Sequence, residues 1–486
     1  MRSLAAAAVA LALLAGCTPR DRAAAPTTSP SPSVATTTAA PSTTVPPSPS
    51  GSPAVTASAS APAGAPCPAA YAAPDPARPV VDLTFVVADD KASVRGREKV
   101  TFTPDRPTDR LVFRLWANEP AARRGGGSSA VTSVSVGGRA AAFSASADRT
   151  TVTVPGTHPA GRPVVADLAF TVTLPSGVNE RFGHRGGTAW FGSGFPLLAW
   201  ERGRGWATEP ATAAFAEAAT SESFRLTLHV DTAPGDVVLG TGAPTGQAGR
   251  VRHRSADAVR DVLVAVGPFR TATASAGGVP VTVGVAPGLP DSAPALARQH
   301  VAAIRTHAAR FGPFPYASLD VAVVPDVHGG IEFPAGIILG HAQDQDATLV
   351  HEVAHEWFYG LVGDDQGRDP WLDEAFATYA EALANGTAGR YLSTPVPASG
   401  RNRVGAPMTY WEPRTAVYYR SVYVQGAAAL LRARRAAGTA AFDGALRCYV
   451  AANAHRIATP ADLAAALNGL PAAVAVLRRY GALPRG

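Results

Sequence analysis

The sequence predicts a multidomain α+β protein. A β-rich, sandwich- or saddle-like domain spans residues 76–276, and a mixed α/β domain that turns wholly helical spans 277–486. Three observations predict this. Between Asp75 and Ala276 apolar residues alternate with polar ones in short runs, as in Val80-Val81-Asp82-Leu83-Thr84-Phe85-Val86-Val87, with Gly, Pro and Asp turns between them. Past Gly277 apolar residues recur three and four apart, the spacing of helices. With 486 residues and 46% hydrophobic content, the chain can bury two sizeable cores.

The chain opens with Arg2 and an apolar run from Leu4 to Ala15, too short to span a bilayer, that ends in Leu14-Ala15-Gly16-Cys17. Residues 1–16 read as a signal peptide. Small residues directly before a cysteine resemble the bacterial lipoprotein signal, which implies a lipid anchor at Cys17 on the outer face of the cell membrane. An ordinary cleaved signal is the alternative. Residues 17–75 are mostly Pro, Ser, Thr and Ala, as in Thr43-Thr44-Val45-Pro46-Pro47, and bury too little surface to offset their ordering entropy. They read as a disordered tether. With Cys17 lipidated, Cys67 and Cys448 remain in a compartment where disulfides persist; the sequence permits their pairing without dictating it.

Within the β-rich part, Thr150 to Val154, Asp167 to Leu174, Phe224 to Val230 and Val259 to Val266 are the further strands. An aromatic and glycine-rich insert runs from Phe182 to Trp206, and packing of Trp190, Trp200 and Trp206 into a core is its favoured explanation. In the second domain, Ser292 to Phe311 reads as a helix stopped by Gly312-Pro313. Leu319 to Val324 and Gly336 to Leu339 read as strands, and Asp344 to Leu361 and Trp371 to Ala384 as helices. From Ser421 the chain is expected to be helical to its end, over Ser421–Ala437, Ala440–Ala452, Pro460–Leu467 and Ala472–Tyr480.

The net charge of +6 rests almost wholly on arginines scattered along the chain. No basic tract interleaves with aromatics, so a nucleic-acid partner is not expected.

The chemistry concentrates in Leu349-Val350-His351-Glu352-Val353-Ala354-His355-Glu356-Trp357 and in Trp371-Leu372-Asp373-Glu374-Ala375-Phe376. Residues four apart on a helix lie nearly above one another, so His351 and His355 can present their imidazoles to one point. Two neutral imidazoles plus a carboxylate from a second helix, Glu374, make a three-ligand zinc centre with one position left for water. Glu352 is then the natural base. Two histidines placed by chance on an amphipathic helix are the plain alternative, and the carboxylate helix that follows weighs against it.

Taken in order, these motifs resemble the gluzincin metallopeptidases of the aminopeptidase N and leukotriene hydrolase type. Glu374, nineteen residues past His355, stands where that family has its third ligand. Gly329-Gly330-Ile331-Glu332-Phe333 resembles its exopeptidase loop, and Ser421-Val422-Tyr423-Val424-Gln425-Gly426-Ala427 its tyrosine segment. The resemblance covers about residues 75 to 486 and implies a thermolysin-like catalytic domain with one zinc ion held by His351, His355 and Glu374. It further implies Glu352 as base, Tyr423 as the oxyanion donor, and Gly329, Gly330 and Glu332 as substrate-binding, with Glu332 on the substrate's α-ammonium. Tyr418 and Tyr419 are alternatives to Tyr423.

Departures from the family pattern bear on selectivity. Phe333-Pro334 replaces the loop asparagine, Val424-Gln425 replaces Glu-Lys, and for a second ammonium contact Glu201 and Glu209 are only candidates. The chain ends at Gly486, so the large helical domain of longer members is not expected, and an open cleft would admit longer peptides. Thr378 and Glu381 are candidates to orient a ligand; Asp373, Asp364 and Asp365 read as capping or surface acids, and His328 as a loop histidine. The expectation is a lipid-anchored, extracytoplasmic zinc aminopeptidase acting on peptides. The alternatives are a zinc endopeptidase and, from another class, an inactive tethered binding lipoprotein.

Overall fold

A computed structural model describes residues 67–176, 181–212, 221–342 and 345–485. The expected signal peptide, Cys17 and most of the expected tether lie outside the described residues. Among the described residues, no helix is long and apolar enough to cross a membrane.

Alternation in the sequence becomes two-faced strands. Val81, Leu83, Phe85 and Val87 turn inward along Val80–Val87 while the residues between them face outward. That strand lies inside an eight-stranded sheet, parallel to Phe224–Asp231 and antiparallel to Ser93–Phe102. Two four-stranded sheets, centred on Leu263–Gly267 with Thr188–Gly192 and on Thr108–Arg114 with Thr151–His158, and a two-stranded ribbon of Trp200–Glu201 with Gly205–Trp206 complete the β-rich body. Its core gathers Leu83, Phe85, Phe113, Phe170, Phe191 and Trp200. Trp200 and Trp206 meet edge to face at 4.7 Å. The run Val259 to Val266, expected as one strand, is broken: Val251–Val259 ends, Arg260 and Asp261 turn inward, and Leu263–Gly267 joins a different sheet. Two buried charged side chains in mid-run account for the break.

A five-stranded sheet opens the second body, in the order Arg270–Ala276, Val279–Val285, Leu319–Val324, Gly336–Gly340, Gly330–Phe333. The boundary expected between 276 and 277 falls inside the hairpin joining its first two strands. Gly330–Phe333 is the antiparallel edge strand, and it carries the glycine and glutamate of the expected loop. Helices Ala293–Phe311, Gln345–Ala354, Trp371–Ala384 and Gln425–Ala437 pack into one core around Leu296, Ile304, Val353, Trp357, Phe376 and Leu430. A smaller apolar cluster, including Trp190, Leu263, Phe269, Ala322, Phe333 and Ile338, joins the two bodies. Gly426 sits where the last of these helices crosses Trp371–Ala384; a Cβ there would stand 2.3 Å from that of Ala375, so only glycine permits the approach.

Three local features depart from the expected helices. Gln345–Ala354 ends as regular α-helix before Leu361. Beyond it the backbone bonds widen, Gly360 N to His355 O at 2.9 Å and Val362 N to Trp357 O at 3.0 Å, and Tyr359 adopts φ 109°. Arg420–Val424 forms a π-helical turn ahead of Gln425–Ala437. Short helices at Ala388–Ser393, Met408–Trp411 and Thr415–Tyr419 fill a stretch for which no helix was expected. The chain from Thr439 to Arg479 is helical in three segments within a residue or two of expectation.

Candidate metal centre

His351 leaves the last full turn of its helix and His355 follows at the start of the widened turns, so both rings face the helix Trp371–Ala384. Their Nε2 atoms are 3.0 Å apart, and Glu374 Oε2 lies 3.3 Å from the first and 3.5 Å from the second. A tetrahedral zinc centre with bonds of about 2.0–2.1 Å sets its ligand atoms about 3.3 Å apart. The three donor atoms therefore fit a zinc ion, and these residues form one of two potential metal-holding groups among the described residues.

The second group, Glu332, His355 and Asp373, shares a histidine with the first. Its Asp373 is already engaged: Oδ2 accepts a 2.6 Å hydrogen bond from Gln366, and Oδ1 lies 2.5 Å from His355 Nδ1. His355 Nδ1 also lies 3.1 Å from the carbonyl of Phe358, which leaves Nε2 directed at the shared centre. On His351, Nδ1 faces Glu381 Oε2 at 3.5 Å. Glu381 thus lies against a ligand, whereas Thr378 bonds only the backbone carbonyl of Glu374.

Asp373, expected at the surface or in a cap, is 1% exposed, and Asp364 and Asp365 are buried as well. Helical position alone misplaced them: Asp373 lies on the buried face of Trp371–Ala384, and Asp364 and Asp365 follow Gly363, whose backbone pairs with Arg456 and Ala458. Asp365 does cap a turn, accepting from Arg368 N at 3.0 Å, and it also pairs with that arginine's guanidinium.

Protons reveal how the site is balanced. Burial alone would lower the pKa of His351, but hydrogen bonds to Glu374 and Glu381 override it and raise the value to about 10. Burial would raise Glu374; the bonds from both histidines instead hold it well below the ordinary carboxylate range. Burial pushes Glu352 up to about 8, opposed by the two histidines.

Glu352 is 4% exposed, and its Oε2 has no hydrogen-bond partner. The backbone of Gly330 lies against it: a Cβ there would fall 2.3 Å from Glu352 Cγ. Tyr423 stacks on the His351 ring at 6.0 Å and donates a hydrogen bond to Glu374 Oε1. Of the two alternative tyrosines, Tyr418 is buried against Trp411 and Tyr419 is exposed. Glu332 is buried on its edge strand with Arg181 Nη2 3.9 Å from Oε1. Gly329 borders open space, and His328 beside it is exposed. Glu201 and Glu209 both bond Arg368, each at 2.5 Å. Sequence reasoning missed Arg181 and Gln366, since neither has a spacing relation to the metal motif.

Residues 338–477 match the model of the peptidase family M1 domain. Aminopeptidase N of Streptomyces lividans is 34% identical over a stretch covering 15% of this chain and 10% of that protein. Aminopeptidase M1-A of Oryza sativa subsp. japonica is 23% identical over 32% of this chain and 21% of its own length. The chain thus matches only about a tenth to a fifth of the length of these relatives. Among solved structures, an M1 zinc metallopeptidase from Deinococcus radiodurans shares the fold, with a TM-score of 0.62 at 20% identity over 84% of this chain and 96% of that one. His351, His355 and Glu374 all lie within the residues that match the peptidase family M1 domain model, and the likeness to the Deinococcus radiodurans structure is one of fold.

Proposed function

We propose that the protein is a zinc-dependent aminopeptidase that hydrolyses amino-terminal residues from peptides outside the cytoplasmic membrane. The observation that carries this reading is the convergence of His351 Nε2, His355 Nε2 and Glu374 Oε2 within 3.5 Å, flanked by Glu352 and Tyr423. A zinc ion bound there supplies Lewis acidity toward a peptide carbonyl and lowers the pKa of water toward about 7.

Glu352 accepts the proton of the attacking water and returns it to the departing amine. Its carboxyl is buried, with Oε2 free of other hydrogen-bond partners and so open to that proton. The Tyr423 hydroxyl donates to the oxyanion that develops on the scissile carbonyl. Gly329 leaves open space ahead of the edge strand for substrate backbone, Gly330 lets that strand approach Glu352, and Glu332 faces the substrate's amino end.

An anchor at Cys17 accounts for the location, and the Cys67–Cys448 disulfide is consistent with an oxidising compartment. The test is hydrolysis of aminoacyl reporter substrates by the full chain before chelation, after it, and after zinc return, beside Glu352→Gln. Activity that survives chelation, or is unchanged in the variant, rules the reading out. Loss of membrane association in Cys17→Ala tests the location.

A further inference from the structure

Tyr359, in the widened turn that starts at His355, holds φ 109°, a backbone region that residues other than glycine seldom enter. That torsion sets the plane of the peptide joining Phe358 to Tyr359 relative to the chain beyond it. The carbonyl of this peptide lies 3.1 Å from His355 Nδ1, the nitrogen not directed at the shared centre. The strained residue is buried and is gripped from the β-rich body: its hydroxyl donates to Asp261 Oδ2 at 3.1 Å. Asp261 is itself fixed, accepting from Ser193 Oγ at 2.5 Å and from Val262 N at 2.7 Å, and it faces the Arg181 guanidinium. Beside it the buried Arg260 donates to the carbonyls of Gly360, Ser221 and Arg456 at 3.4, 3.0 and 3.1 Å, so the next peptide of the same turn is held as well.

We infer that Tyr359 is a positioning residue for the metal centre: the bond from its hydroxyl to Asp261 keeps the turn in its strained form, and the turn aims the His355 ring. The inference rests on the zinc reading and deepens it. Released from Asp261, a tyrosine relaxes toward negative φ and swings the Phe358 carbonyl away from Nδ1. Asp373 Oδ1, 2.5 Å from the same nitrogen, remains as its other partner, so the loss in zinc affinity is partial. Arg181, Arg260 and Glu332 also lie near Tyr359, and removing the hydroxyl leaves their charges in place. The β-rich body carries none of the three ligands, yet through Asp261 it contributes to how tightly they hold a metal ion.

Zinc affinity of the full chain is measured by competition with a chromophoric chelator, beside Tyr359→Phe, Tyr359→Gly and Tyr359→Ala, with thermal unfolding of each zinc-free chain. Tyr359→Phe keeps the ring, and Asp261 keeps Ser193, Val262 N and Arg181, so this variant is expected to fold. Its zinc dissociation constant should rise by ~3- to 10-fold, less than where a ligand loses its sole outer partner. Tyr359→Gly should bind zinc ~3-fold or more tightly than Tyr359→Ala, because glycine adopts φ 109° without strain. A purely structural role predicts the opposite order, since alanine keeps more of the packing and costs the folded chain less entropy. Wild-type affinity in a folded Tyr359→Phe, or a Tyr359→Ala that matches or exceeds Tyr359→Gly, overturns the inference; the second comparison decides it should Tyr359→Phe not fold. A wild type that binds no zinc counts against the metal reading instead.

Discussion

The Tyr423 hydroxyl donates a 2.6 Å hydrogen bond to Glu374 Oε1, the carboxylate oxygen turned away from the two imidazoles. The single O–H of Tyr423, engaged by Glu374 here, is the one that must turn to a substrate oxyanion. The π-helical turn Arg420–Val424 carries it, and single π turns of this kind concentrate at functional sites. Tyr423→Phe keeps the ring stacked on His351 and removes only the donor. It should lower kcat by about 100- to 1,000-fold with KM and zinc content nearly unchanged, as steady-state kinetics and metal analysis will show. A parallel loss of zinc would assign Tyr423 to holding Glu374 instead.

Glu352→Gln retains shape but cannot accept a proton. A fall in kcat of at least about 1,000-fold is expected with zinc still bound, measured on the same aminoacyl reporter.

Asp373 lies 2.5 Å from His355 Nδ1 and is itself held by Gln366. Outer partners of this kind fix a ligand's tautomer and strengthen it as a donor. Asp373→Asn should weaken zinc binding about 10- to 100-fold in competition with a chromophoric chelator, and Glu381→Gln should do so less, its contact being 3.5 Å.

Glu98 points into the β core opposite Leu83, and neither carboxyl oxygen has a hydrogen-bond partner. Burial raises its pKa well above the 4.5 of an ordinary glutamate, so the folded chain keeps this proton to higher pH than the unfolded chain does. The stability it contributes is full below about 4.5 and is lost as pH rises through its folded value. Glu98→Leu should stabilise the protein by about 1–3 kcal/mol at pH 8 and by less at pH 5, read from denaturant unfolding at the two pH values.

Cys67 and Cys448, 381 positions apart, form a disulfide. The segment that follows Cys67 lies along the helical body: Ala72 N bonds Ala451 O at 2.8 Å, and the Tyr71 hydroxyl donates to Pro313 O at 2.6 Å and accepts from Trp357 at 3.1 Å. The tether expected to run to residue 75 is thus pinned down from residue 67 onward. Cys448→Ser should cost about 2–4 kcal/mol of stability, and reductant should destabilise the wild type but not the variant.

Much of the site was legible because its information is local. His351, Glu352 and His355 share one helix face through spacing alone, and Glu374 follows on the next helix. The strands Val80–Val87 and Leu319–Val324 and the helix Trp371–Ala384 were readable to the residue from periodicity. The burial of Asp364, Asp365 and Asp373 was not, since a polar residue in a loop or in the first turn of a helix looks the same whether it faces water or protein.

By itself, the sequence determined the donor set and the order of the motifs and singled out Glu352 as the expected base, because helical and strand periods act over a few residues. Tertiary structure alone decided that Asp373 backs His355, that a π turn delivers Tyr423 to Glu374, and that Arg181 stands beside Glu332. Each of those contacts joins segments brought together only when separate apolar faces pack, and no short-range pattern encodes where such faces will meet.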